Sequence, residues 1–283
     1  MDETAWRRSL GNPRVLFGLA VLALLALAAL GAPLIAPQNP LHQDLLASFA
    51  PPFWHAGVVP GHLLGTDDLG RDTLSRLIYG ARIALTVAVI SATAAGLIGT
   101  LLGLAAGYAG GLPDAIVSRL VDVWMAFPPV LLSIVLVAVI GAGLEAVILA
   151  IVIVDWTRFC RIVRAEVLVQ REQDYVAAAV AIGLGPWRVA LQEILRNLLP
   201  TLIVLFTLEM GIAITVEAIL SFVGLSIASG APSWGGMIAE GRLYIHQAWW
   251  LMTLPVGCII VSVLGLNALG DGLRQTLDPL VRR

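Results

Sequence analysis

Six apolar stretches separated by shorter polar ones set the layout of this chain. They fall at about 15–35, 83–109, 123–140, 144–163, 201–222 and 251–269. Each approaches or exceeds the roughly 20 residues a helix needs to cross a hydrocarbon core of about 30 Å, so each is expected to span a membrane. Phe127-Pro128-Pro129 interrupts the third stretch, where the prolines must kink or delay the helix. Pro37, Pro40, Pro51, Pro52 and Pro60 exclude regular structure after the first span. Within this loop of residues 37–82, Asp72 is placed to N-cap a short amphipathic helix over 73–79 lying at the membrane surface. Residues 110–122, GGLPDAIVSRLVD, read as a turn between the second and third spans.

Composition agrees with the pattern and narrows the chemistry. With 59% hydrophobic residues, 13% charged and a mean hydropathy of +0.91, the chain cannot be an ordinary soluble domain. All 17 basic residues are arginine. A G-x-x-x-x-G-K-[ST] phosphate loop needs a lysine on the phosphates, so nucleotide hydrolysis by that route is excluded, and Schiff-base chemistry with it. Any work must be driven by a partner or an ion gradient. With six spans and an internal N-terminus, thirteen arginines lie inside and four (71, 76, 82 and 242) outside. That bias places both termini, the tails 1–14 and 273–283, in the cytoplasm. Arg7 and Arg8 invite a twin-arginine signal reading, but the apolar run that follows is too long and lacks a polar region before a cleavage site. His42, His55, His62 and His246 then lie outside, none at a tight ligand spacing, and read as surface histidines. Cys160 and Cys258 are far apart and match no metal motif or disulfide framework.

One polar, arginine-rich island, residues 156–200, is the place where the chain can address a soluble partner. It reads as a short helix over 176–182, a break at Gly183-Leu184-Gly185-Pro186, and a second helix opening at Trp187. Ala177, Ala178, Ala179 and Ala181 give the first helix a smooth surface that suits insertion into another protein's groove. Before the island, Arg158, Arg161 and Arg164 recur every third residue and form a strip suited to lipid headgroups or, at i, i+3, to Asp155. Asp155, Glu209 and Glu217 lie within spans, where an acid is costly. Asp155 pairs with its arginine or relays a proton. Glu209 and Glu217, about two turns apart, line a water-filled path or pair across a helix interface. Gly99, Gly103 and Gly107 form a ridge on one face of the second span that allows another helix to approach closely. Asp67, Asp68 and Asp72 read as turn and capping residues rather than cation ligands, because Arg71 opposes a cation. Trp249 and Trp250 fit an interfacial belt or a partner surface.

Several segments carry a family resemblance. HLLGTDDLGRDTLSRLIYGAR (62–82), VEAILSFVGLS (216–226), PSWGGMIAEGR (232–242) and LNALGDGLRQTLDP (266–279) resemble the C-type permease subunits of dipeptide, oligopeptide and nickel ATP-binding-cassette importers. The island resembles their coupling loop, E-A-A-x3-G-x9-I-x-L-P, with two departures: Ala177 replaces the glutamate, and Arg196 follows Ile194-Leu195 where proline is expected. The resemblance implies an all-α polytopic fold of the type I importer permease, with six spans and a cytoplasmic coupling helix. It implies a non-enzymatic chain forming half of a path for small peptides in a bacterial inner membrane, nickel and glutathione being alternative cargoes. It implies a second permease subunit, two ATPases holding ATP and magnesium, and an external binding protein. No cofactor or metal of its own and no nucleic-acid partner are expected. Glu172, Asp174, Tyr175, Ala177, Ala178, Ala179, Gly183, Pro186 and Arg188 become candidates for coupling to the ATPases, with Glu172 and Asp174 close enough to replace the missing glutamate. Asp155, Glu209 and Glu217 become path candidates. Asp67, Arg71, Asp72, Trp234 and Met237 become candidates for docking the binding protein. Rival readings are a proton-driven secondary transporter using the three buried acids, though no internal repeat is visible, and a membrane anchor for a soluble complex.

Overall fold

The computed structural model describes residues 11–226 and 231–277, so Arg7, Arg8 and the last six residues lie outside the described part. Apart from one isolated bridge, Thr66 to Asp72, its regular structure is helical. Helix α1 (Pro13–Ile35) opens on Pro13 at its first position, with the Asn12 side chain accepting the Arg14 N–H at 2.9 Å. Helix α2 (Thr73–Ala109) is capped by Asp72, whose carboxylate accepts the Ser75 N–H at 2.8 Å, as expected. The expected separate surface helix over 73–79 does not exist. Its residues are the first two turns of a single 37-residue helix. Gly80 stays helical because its bare face seats an indole: a β-carbon there would lie 2.6 Å from Trp234 Cδ1.

Residues 110–122 form a helix rather than a turn. Gly110 reverses the chain at φ +65°, and α3 (Gly111–Met125) follows with Pro113 harmlessly in its first turn. Helix α4 (Pro129–Ile140) starts after Pro128, held extended by the proline behind it, and the two helices meet at 88°. The expected kink at the prolines is therefore a full break. Helix α5 (Leu144–Gln170) runs seven residues past the expected end at Val163. After α6 (Asp174–Ala181), helix α7 (Pro186–Phe222) absorbs both the expected second helix of the island and the fifth span. It contains one wide π-type turn, Val189–Ile194, and passes through Pro200 without breaking. A proline interior to a spanning helix is tolerated where neighbouring helices and local π adjustments satisfy the freed backbone. The short α8 (Trp234–Gly241) and the long α9 (Trp250–Leu277) complete the chain, α9 reaching well past residue 269 and into the segment expected to be a tail.

Among the described residues, α1, α2, α7 and α9 have the length and composition of spans, and the bent pair α3–α4 makes a fifth if its two halves are counted as one broken span. The expected sixth, α5, has the length but carries Asp155, Arg158, Arg161 and Arg164. It nevertheless belongs to the bundle, because α2 presents the glycine ridge to it. β-carbons at Gly103 and Gly107 would lie 2.6 Å from the Cys160 carbonyl and 2.9 Å from Val167 Cβ, and Gly99 meets the Trp156 carbonyl and Phe159. The ridge thus serves packing within the chain, as its spacing suggested. Helices α1 and α9 pack in the same way, Gly18 against Leu269 and Gly265 against Val21. The arginine strip does not act as one surface. Arg158 pairs with Glu209 on α7, Arg164 forms a two-pronged ion pair with Asp114 on α3, and Arg161 reaches the Met125 sulfur at 3.7 Å. Cys160 is buried, Cys258 half-buried, and both are free thiols.

Candidate functional site

Three assemblies of polar residues lie on this frame, one at each end of the bundle and one in its middle. At the end formed by residues 165–200, α6 is a two-turn helix whose inner side, Val176 and Ala179, is buried against the start of α7. Ala179 therefore belongs to the packed side and not to the smooth outer surface expected of it. Ala177 and Ala178 are exposed, with Glu172, Asp174, Gly183, Pro186 and Arg188 around them and Tyr175 half-buried. Beside α6 lies an open hollow of about 530 Å³, lined by Tyr108, Arg171, Glu172, Val176, Ala177 and Val180 among others. The exposed Ile182 and Trp187 flank the break, 79% and 64% accessible. Apolar side chains this open at the end of a helix are available to a partner. Gly183, at φ +87°, terminates α6: its N–H donates to the Val180 carbonyl and the Leu184 N–H to the Ala179 carbonyl. That is the Schellman arrangement, which a left-handed residue permits. Tyr175 donates to Gln170 Oε1 at 2.7 Å, and Arg171 donates to the Gly107 carbonyl at 3.0 Å, so α6 hangs from the ends of α5 and α2.

In the middle of the bundle, Asp155 and Glu209 come together and Glu217 stays apart. Arg158 Nη1 donates to both Glu209 oxygens, at 3.2 and 3.3 Å, and its Nη2 lies 3.9 Å from Asp155 Oδ1. Asp155 and Arg158 line a cavity of about 320 Å³ with Ser133, Thr215 and Asn267, residues from α4, α7 and α9. Glu217 is buried among hydroxyls instead, accepting from Ser221 at 2.6 Å and from Ser226 at 3.5 Å. Ser233 extends this group to the cap of α8, 3.1 Å from Ser221. Ser133, Thr215 and Asn267 carry no charge, and nothing in their local sequence marked them.

At the opposite end, the five residues expected to face a docking protein are all buried. Asp67, Arg71, Asp72, Trp234 and Met237 are each at most 4% accessible. They hold the 37–72 loop onto α8 and α2. Asp67 accepts from Arg71 Nε at 2.7 Å and from Arg76, and Glu240 accepts from Arg71 at 3.0 Å and Arg76 at 2.8 Å. The Trp234 indole donates to the Leu77 carbonyl at 2.9 Å. Asp72 also pairs with His62, 3.1 Å away and buried, so this histidine is not the surface residue expected of it. Carboxylate oxygens of Asp67, Asp68 and Glu240 converge, but the two guanidinium groups already answer that charge. Glu240, unremarked in the sequence, clamps both arginines, and Asp68, which accepts from the half-buried Tyr244 phenol at 3.3 Å, raises that phenol's pKa above its ordinary value. The sign of the Asp67 contribution is testable. Asp67→Ala removes one partner of a buried pair, which costs about 3–5 kcal/mol. The variant is expected to become sensitive to trypsin at Arg71 and Arg76 under conditions where the parent resists; equal resistance would show that Glu240 alone suffices.

Comparisons with known proteins agree with this geometry. A family model described as "binding-protein-dependent transport system inner membrane component" matches residues 99–283, and one for the N-terminal membrane domain of oligopeptide transport permease C matches residues 3–52. A di/tripeptide transport system permease protein of Pseudomonas aeruginosa is 40% identical over 277 residues, 98% of this chain and 91% of that one. A dipeptide permease protein of Haemophilus influenzae is 40% identical over 96% and 92% of the two chains, and a probable D,D-dipeptide permease protein of Escherichia coli is 36% identical over 95% and 88%. Among solved structures, the MetNI methionine ABC transporter in inward-facing conformations matches with a TM-score of 0.58 at 19% identity, covering 71% of this chain and 96% of that one, a likeness of fold. With an all-helical bundle of that fold and a family model running from the glycine ridge to the C-terminus, the chain belongs to the binding-protein-dependent transport system inner membrane components.

Proposed function

We propose that this chain is the permease subunit of an ATP-driven importer and forms half of an inner-membrane path for small peptides. The observation that carries the reading is its likeness, over nearly its whole length, to permease proteins of dipeptide transport systems. A second permease supplies the other half of the path, and a binding protein delivers peptide from outside. Two ATPase subunits holding ATP and magnesium engage the exposed face of α6, with Ala177, Ala178 and Gly183 central, Glu172, Asp174, Pro186 and Arg188 around them, and Tyr175 positioning the helix from behind. This chain needs no cofactor of its own, and the absence of lysine agrees with hydrolysis residing elsewhere. The arginine distribution supports an orientation with both termini and α6 in the cytoplasm and the Arg71–Asp67–Glu240 cluster outside. Coupling requires that α6 bind the two nucleotide states of the ATPases with different affinity, since equal affinity shifts no equilibrium.

Purification of the tagged chain from its own membranes tests this reading, with mass spectrometry of what accompanies it and ATPase activity with and without the binding protein. Two ATPases, one further permease and a peptide-loaded binding protein are expected. A binding protein holding nickel would replace the peptide assignment. A chain that purifies alone would overturn the coupling assignment and return the buried acids to a proton-driven role.

A further inference from the structure

Between Leu45 and Thr66 the 37–72 loop carries no Asp, Glu, Arg or Lys, although much of it is open at the surface. Its exposed side chains include Phe53, Trp54 and Leu63, the first 59% accessible and the second 43%. These three lie together. The Phe53 N–H donates to the Leu63 carbonyl at 3.0 Å, and the Phe53 and Trp54 rings meet edge to face with centroids 5.0 Å apart. Large apolar side chains gathered at a surface, with no charge among them, mark a contact with something other than water.

The position of this patch says what covers it. Trp54 packs on Trp249 with centroids 6.5 Å apart, and His55 packs on Trp250 at 5.6 Å. Trp250 opens α9 and is buried, while Trp249, one residue earlier, is 44% accessible. The Thr253 N–H donates to the Trp249 carbonyl at 3.1 Å, so Trp249 already follows the helical path. From it an uncharged line continues down α9 at helical spacing: Trp249, Thr253, Gly257, Ile260 and Leu264. Ile260 and Leu264 are exposed, and nothing lies within 4 Å of a β-carbon at Gly257. Hydrocarbon accepts such a face. Trp249 stands where the helix enters the apolar layer, the depth at which indoles concentrate, and Trp54 and Phe53 extend that belt from α9 onto the loop. A protein that docked here would call for a polar rim, and this stretch of loop offers it no charge.

We infer that Phe53, Trp54 and Leu63, with Trp249, are seated in the headgroup layer on the outer side, so that the loop is an interfacial anchor whose partner is the lipid surface itself. The ties of Asp67 to Arg76 and of Glu240 to Arg71 then hold the start of α2 at a fixed height relative to the bilayer.

The test is photo-crosslinking in the complete complex, with its binding protein, in vesicles of phosphatidylethanolamine and phosphatidylglycerol. The photoreactive residue p-benzoylphenylalanine is placed singly at Phe53, at Trp54 and, as the lipid control, at Leu30, which is 84% accessible within the α1 span. Illumination of the Phe53 and Trp54 chains is expected to add the mass of one phospholipid, with a yield matching that at Leu30. Adducts to the binding protein or to the second permease in place of lipid overturn the proposal. So does a chain that stays unlabelled at both positions while Leu30 takes lipid, since the loop then faces water. Two positions are used so that a substitution that disturbs the loop at one leaves the other to decide. A different cargo would leave these outcomes unchanged.

Discussion

Replacing Gly103 by leucine is expected to remove the folded chain from the membrane. The α2 backbone approaches α5 so closely that the first carbon of any side chain at this position would sit 2.6 Å from the Cys160 carbonyl and 3.0 Å from Val163 Cβ. Neither neighbour can turn away: one is backbone, the other a β-carbon within a helix. The helices must separate, and overpacking of this kind costs about 1–3 kcal/mol, occasionally more. Lipid makes the loss harder to recover, because in hydrocarbon the association of helices rests on close packing rather than on apolar burial. The measurement is the amount of monodisperse tagged chain recovered after detergent extraction. Gly257→Ala on α9 is the control, since nothing lies within 4 Å of that position, and it is expected to behave as the parent. Recovery of Gly103→Leu at the parental level would mean that α2 and α5 do not meet as described.

Gly183→Val is expected to separate hydrolysis from uptake while leaving the bundle intact. Nothing lies within 4 Å of a β-carbon at Gly183, so no clash arises, and the penalty comes from the backbone alone. At φ +87° a β-branched residue is strained by about 1–3 kcal/mol. The strain is relieved by abandoning the left-handed turn, which breaks the hydrogen bonds from Gly183 and Leu184 that close α6. The face bearing Ala177 and Ala178 then leaves its fixed position. Complexes should assemble and hydrolyse ATP, with peptide uptake reduced about ten-fold, the effect of roughly 1.4 kcal/mol. Gly183→Asn should fall between parent and valine variant, asparagine being the side chain that best tolerates this region after glycine. Parental coupling in Gly183→Val would exclude the turn as the element that orients α6.

The apolar pattern located the four helices long and apolar enough to span, α1, α2, α7 and α9, because hydrocarbon thickness imposes a length that a chain cannot disguise. It placed the helix ends poorly. Pro200 read as a boundary, yet α7 passes through it, and the polar residues 110–122 and 164–170 read as connections although they are helical. Polarity marks where a helix leaves the apolar layer, not where it stops. Asp72 and the glycine ridge were legible because each acts through a local rule, a cap or a four-residue spacing. The burial of Asp67 and Arg71 was not, since charged residues are rarely buried unless paired, and their partners Arg76 and Glu240 come from α2 and α8. The mid-bundle cavity was half visible. Asp155 stands out in any apolar helix, but Ser133, Thr215 and Asn267 are ordinary residues scattered over more than a hundred positions, and only the packing of four helices brings them to one space.

The merging of the coupling segment with the fifth span has a mechanical consequence. Helix α7 runs unbroken from Pro186 to Phe222 and is tied to α5 at Glu209, not at its midpoint. At 1.5 Å per residue, about 35 Å of helix lies between Pro186 and that tie and about 20 Å beyond it. Tilting about the tie moves the two tips in opposite directions, with unequal travel in the ratio of those arms. Were α7 to tilt about that tie under a push at Pro186, Phe222 would travel the opposite way by a little over half as much, as the short arm of a class-one lever does.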